Sequence, residues 1–301
     1  FAVANDAVIK VVDGTLELLG TASTNYGSGI WAYYYNNGTI RVTGPELPPE
    51  VARLEFSRYH NIVNKYTQVM TPVVVSGLNS LHVKNNVETF GKITTMGDVY
   101  FANESNVFNL ATDPKCKFHA PLEFAGPNAQ MLHVPSAGMD LTGGGVANAN
   151  LRVAKTNSDS MVTLQGGDIE TGVIFFSNGL LATQGDNAFV IPAPPNGQGF
   201  DRSDVGSDDL SHVVGNVRKG MINTGNLATS TFQRSEFPVG TRFAYRPAAI
   251  TFQPVGAQPT IPSGIELTVK HVSESPEGDV GLPIENGIEA NRDIGGYPDF
   301  Y

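Results

Sequence analysis

Cysteine and tryptophan each occur once in the 301 residues. The lone Cys116 has no intrachain partner, which excludes a small disulfide-stapled fold and leaves a buried thiol as its reading. Charge is also scarce. Asp, Glu, Lys and Arg make up 16% of the chain, below the usual quarter or so of a globular domain. What charge there is leans acidic, at −10, so nucleic-acid binding by counterion release has no electrostatic basis over the chain as a whole. No window approaches the roughly 18 consecutive apolar residues of a membrane helix, and no membrane insertion is expected. The sequence begins at Phe1 without a signal-peptide pattern and reads as a processed or partial chain.

Metal and cofactor signatures are missing too. His60, His82, His119, His133, His212 and His271 are far apart, with no His-Glu-x-x-His or Cys-x-x-Cys spacing, so neither a metal nor a cofactor is predicted. No nucleophile elbow, Walker loop or dinucleotide fingerprint is found, and no catalytic residue is assigned.

What the chain does have is turn punctuation. Its 33 glycines and 19 prolines interrupt runs rich in Val, Ile, Thr, Tyr and Phe, the vocabulary of strands and turns. The pattern is densest over residues 81–192, where Phe90-Gly91-Lys92-Ile93 is followed six positions on by Met96-Gly97-Asp98-Val99. Strands this short bury little surface alone, so they must stack their turns or share a core with other copies. The predicted fold is all-β, in four parts. These are an N-terminal β module (1–48), a short helix and linker (49–80), a repetitive β shaft of β-helix or triple-β type (81–198), and a C-terminal antiparallel β-sandwich head with its tail (199–301).

Within the first part, Asp13-Gly14 and Asn36-Asn37-Gly38 sit between apolar runs and predict two hairpins. Trp31 and Tyr33 to Tyr35 offer either a sugar-stacking platform or aromatic packing across strands. Beyond the prolines at 45–49, Val51, Leu54, Tyr59, Ile62, Tyr66 and Val69 follow helical spacing over 50–70. That stretch reads as a short coiled coil, as a helix packed on its own domain, or as strands. In the head, Phe243, Tyr245 and Arg246 fall in one predicted strand, with Phe243 and Tyr245 on its inner face and Arg246 opposite.

Two acidic features invite chemistry. Asp201, Asp204, Asp208 and Asp209 lie among Gly and Ser, as a calcium loop or a solvated one, without EF-hand spacing. Asp140, Asp168 and Glu170 are candidates for the two carboxylates of a glycoside hydrolase.

The Gly-punctuated β region, with units such as Phe90-Gly91-Lys92-Ile93 and Met96-Gly97-Asp98-Val99, followed by a C-terminal β module, resembles bacteriophage tail fibres and tail spikes. An uncharged polar surface of Asn, Ser, Thr and Gln suits an extracellular or virion protein. The resemblance implies a structural virion protein that attaches to the host, a homotrimer joined to other tail or baseplate proteins. It also implies that host surface polysaccharide or an outer-membrane protein is bound at the tip, and Tyr245, Arg246 and Trp31 are the receptor-contact candidates. A β-helical polysaccharide depolymerase and a capsid or baseplate component are the alternatives.

Overall fold

The computed structural model describes residues 72–75, 77, 80–83, 87–101, 116–142, 150–192, 199–205, 210–220, 233–252 and 266–272. It also describes the backbone of strands at 8–11, 14–19, 33–34, 39–42, 52–57 and 67–69. Every regular element among them is a strand.

Most of these strands lie in parallel sheets whose members are three elements apart in sequence. The first sheet includes Val73–Val75, Ile93–Thr95, Leu122–Gly126, Asn150–Lys155, Val173–Asn178 and Phe200–Asp201. The second includes Ser80–Val83, Val99–Phe101, Gln130–His133, Met161–Gln165, Leu180–Thr183 and Val213–Val214. The third face is made of a four-stranded and a five-stranded sheet. They meet where the Phe118 amide donates to the Leu141 carbonyl, 3.2 Å away. The chain thus visits the three faces in turn and then pairs with its own previous circuit.

Period-two alternation turns this pairing into a core. Val73, Ile93, Leu122, Leu151 and Ile174 share a register column and are fully buried, as are Leu81, Val99 and Leu132 on the second sheet. Alternate residues point outward. Val99 and Val162 are 0% exposed within a single chain. No neighbouring copy is needed to bury them.

Corners explain the glycine spacing. Thr89-Phe90-Gly91 and Thr95-Met96-Gly97 occupy two successive bends of one circuit, and at each the buried Thr hydroxyl donates to the Gly carbonyl two residues on (2.5 and 2.9 Å). The six-residue recurrence therefore measures one short strand plus a corner. At the next circuit Gln130 reaches in to donate to the Gly97 carbonyl (2.5 Å). Lys155, 3% exposed, donates to Gln130 Oε1 (2.5 Å) and the Ala125 carbonyl (2.7 Å). Gly166 has a φ of 99°, and a Cβ there would overlap the Val134 carbonyl oxygen.

Several expectations change. Residues 50–70 are not helical where described: Ala52–Ser57 and Thr67–Val69 are strands. The period-two pair Leu54 and Phe56 prevails over the helical spacing, taking Leu81 and Val83 as register partners. The Asp13-Gly14 segment does not close an antiparallel hairpin. Val8–Val11 pairs in parallel with Thr39–Val42, and Gly14–Leu19 pairs in parallel with Ala52–Ser57. Tyr33–Tyr34 likewise pairs in parallel with Thr67–Val69. A turn signal ends a strand without fixing which strand it pairs with next.

Past residue 199 the three faces continue through Phe200–Asp201, Val213–Val214 and Asn216–Gly220. Antiparallel pairing begins only then. Glu266–Val269 adds to Asn216–Gly220, Gln233–Phe237 pairs with Ala248–Phe252, and Gly240–Thr241 pairs with Ala244–Tyr245. Phe237 and Val239 are buried against the same core cluster as the parallel strands, so these hairpins close the end of the body. The remainder of the predicted sandwich head, 206–209, 221–232, 253–265 and 273–301, lies outside the described residues.

Candidate functional site

Outward positions in successive circuits sit one strand spacing apart, about 4.8 Å, so side chains distant in sequence become ladders. On the second sheet His82, Tyr100 and His133 share a register row. Their rings stack with centroids 4.6 and 4.3 Å apart and interplanar angles of 18° and 6°. Asp98 accepts from the Tyr100 hydroxyl (3.3 Å) and the Met131 amide (2.7 Å). Burial holds the His133 imidazole below its ordinary pKa against the opposing pull of Asp98. Phe90 and His119 stack similarly at 4.3 Å and 3°. In both stacks the ring faces are turned toward one another, so a pyranose finds mostly edges there.

The first sheet carries a charged row. Lys92 (2.9 Å) and Arg152 (3.5 Å) meet Glu123, and Arg152 also reaches Asp204 (2.9 Å). Exposed pairs of this kind contribute little to stability, but they fix the outer face.

The third face gathers carboxylates. Asp140 and Glu170 are direct register partners. The Thr142 amide and hydroxyl both donate to Asp140 Oδ1, each at 2.6 Å. Burial, then Asp140, then Glu266 push the Glu170 carboxyl up to about 7. Asp168 takes no part in this group: its Oδ2 pairs with Arg218 (2.7 Å) and its Oδ1 accepts from the Ala188 amide (2.7 Å). The structure thus joins two of the three predicted carboxylates and gives the third a structural task. Glu266 is the member that sequence reading missed, nearly a hundred positions from Glu170 and brought close by an antiparallel strand.

The C-terminal hairpin carries the last group. Phe243 is not in a strand with Tyr245 and is not buried. It sits in the turn between Gly240–Thr241 and Ala244–Tyr245 and is 80% exposed, with Arg242 over its ring at 5.8 Å. The two-residue turn leaves no partner strand to cover it. Tyr245 is half-buried under the Arg202 guanidinium, 3.9 Å from the ring centroid, and Arg246 is exposed. Arg202 is held by its Nε donating to the Ser211 carbonyl (2.8 Å). Beneath them lies His212, buried, with its Nε2–H donating to the Thr241 carbonyl (2.7 Å); a carbonyl only accepts, which fixes the proton on that nitrogen.

Trp31 and the side chains of Tyr33 to Tyr35 lie outside the described residues, as do His60, Asp208 and Asp209. Of the proposed calcium loop, Asp201 accepts from the Ser203 amide (2.8 Å), hydrogen bonding from the Ser203 hydroxyl and then from this amide lowers its pKa, and Asp204 faces Arg152. Among the described residues no group of three or more His, Cys, Asp or Glu is placed to hold a metal ion. Cys116 is buried. Compared with protein-family models, curated proteins and solved structures, the chain matches none.

Proposed function

We propose that the chain is a virion attachment protein of the tail-fibre or tail-spike kind, in which the parallel sheets form a β-helical shaft closed by the C-terminal hairpins. It assembles as a homotrimer, joins other tail or baseplate proteins, and meets host surface polysaccharide or an outer-membrane protein. The observation that carries this reading is the separation of roles in strands such as Leu122–Gly126, Asn150–Lys155 and Met161–Gln165. Inward residues form a core sealed by one chain, while outward residues form ladders on the outer faces. A stack of circuits of this kind makes a stiff scaffold that presents extended surfaces. Sedimentation and electron microscopy of the purified chain, with binding to a panel of bacterial envelopes, test it. Elongated trimers that bind a subset of envelopes are expected; compact monomers that bind none overturn the proposal.

A second reading has one specific support. Asp140 and Glu170 occupy adjacent circuits, and the near-neutral Glu170 carboxyl suits a general acid. Strand spacing is close to the roughly 5–5.5 Å carboxyl separation of retaining glycosidases. On this reading the shaft cleaves the polysaccharide it grips. New reducing ends from bacterial surface polysaccharide, lost in Glu170→Gln, would support it; none from any polysaccharide tested would remove it.

A further inference from the structure

The chain carries a net charge of −10, yet the most exposed large apolar side chain among the described residues stands beside arginines. Two large hydrophobic residues are exposed among the described ones, Phe90 at 44% and Phe243 at 80%. Phe90 is stacked on His119, whereas the Phe243 ring meets the Arg242 guanidinium at 5.8 Å and remains open. Arg246 is exposed on the same hairpin, and Arg202 lies over the Tyr245 ring beside it. The Arg202 guanidinium is oriented in advance by its bond to the Ser211 carbonyl, which lowers the ordering cost of binding.

We propose that this hairpin is a binding site for an acidic polysaccharide, with Phe243 stacking on a sugar ring and Arg242, Arg246 and Arg202 receiving its carboxylate. The proposal rests on the attachment reading and names the partner chemistry. Guanidinium groups match carboxylates in geometry as well as charge. An open aromatic ring supplies the flat apolar contact that a sugar ring takes, which an acidic peptide does not need.

The test uses the whole chain on an array of bacterial glycans containing uronate-bearing and neutral polymers, with polygalacturonate, dextran and polyglutamate measured in solution. Binding to the uronate polymers, weakening as salt rises and falling at least tenfold in Phe243→Ser and in Arg242→Ser, is expected. Both substitutions are at a surface turn, so unchanged thermal melting and oligomer size would exclude misfolding as the cause. Binding restricted to neutral glycans, equal binding of polyglutamate, or binding unaffected by both substitutions overturns the assignment of this hairpin and leaves the attachment reading standing. No binding to any glycan or envelope overturns both.

Discussion

The three-faced body and the C-terminal hairpins are both β, but they obtain their pairing over different distances. In the hairpins Gly240 pairs with Tyr245 and Phe237 with Ala248, so the chain turns back at once. In the body Val73 pairs with Ile93, Ile93 with Leu122, Leu122 with Leu151, Leu151 with Ile174 and Ile174 with Phe200, at separations of 20, 29, 29, 23 and 26 positions. Each circuit depends on the one before it for register and for cover. The hairpins meet the body through plugs such as Phe237 and Val239 and through single contacts such as His212 to the Thr241 carbonyl, while their tip pairs only with itself. Damage to the body should therefore spread, whereas damage at the hairpin tip should stay local.

The strongest way to break this contrast is Val99→Asp. An unpaired carboxylate in the sealed core costs roughly 3–5 kcal/mol or more, a large share of a typical folding free energy of about 5–15 kcal/mol. Loss of soluble folded chain by circular dichroism is expected, and a folded monomer that merely fails to assemble would place Val99 at an interface between copies. Gly166→Ala comes next. Positive φ and the clash with the Val134 carbonyl should cost about 1–3 kcal/mol, read as a lower denaturant midpoint. Arg242→Ala in the hairpin turn should shift it by no more than about 0.5 kcal/mol.

The two buried lysines sharpen the comparison. Lys155 in the body and Lys219 beneath the hairpins both have pKa values lowered to about 8, chiefly by burial. Lys155 has two good acceptors, but Lys219 has one longer contact, to the Glu236 carbonyl at 3.3 Å, with the Phe200 and Phe237 rings nearby. Lys155→Met strands Gln130 Oε1 and the Ala125 carbonyl and should destabilise by about 1–3 kcal/mol, whereas Lys219→Met should be neutral or stabilising. Between pH 8 and 10.5 the unfolded chain holds protons on these lysines that the folded chain has lost. Stability should rise across that window, and Lys219→Met should remove its part of the rise. An equal loss from both substitutions would erase the distinction.

A pH-linked effect of opposite sign is expected at Glu170, whose pKa is raised to about 7. The folded chain there holds a proton that the unfolded chain releases above about 4.5. The stabilising contribution is thus full below that value and is lost as pH rises through 7. Glu170→Gln should flatten this part of the stability profile, and an unchanged slope between pH 4.5 and 7 would place the titrating group elsewhere.

The sequence made short strands and their corners legible because glycine and alternation act locally. The parallel pairing was hidden because strand and corner lengths both differ from circuit to circuit. The His82–Tyr100–His133 ladder had one signal, the recurrence of Leu-His-Val at 81–83 and 132–134 around Val99-Tyr100-Phe101. Phe243 was misplaced because alternation with Tyr245 hides a turn that only the pairing reveals. Helical spacing over 50–70 misled because widely spaced apolar residues also satisfy two strands with a break between them.

Glu266–Val269 runs against the direction of every other strand on the third face, and it is made after all of them. Until it emerges from the ribosome, Asn216–Gly220 is a naked edge to which another nascent chain can add by the same hydrogen bonds. The reversed strand then occupies that edge, with Glu266, Thr268 and Lys270 exposed along it. Truncation ahead of residue 266 would therefore be dangerous to a cell chiefly through what neighbouring polysomes do with the open edge.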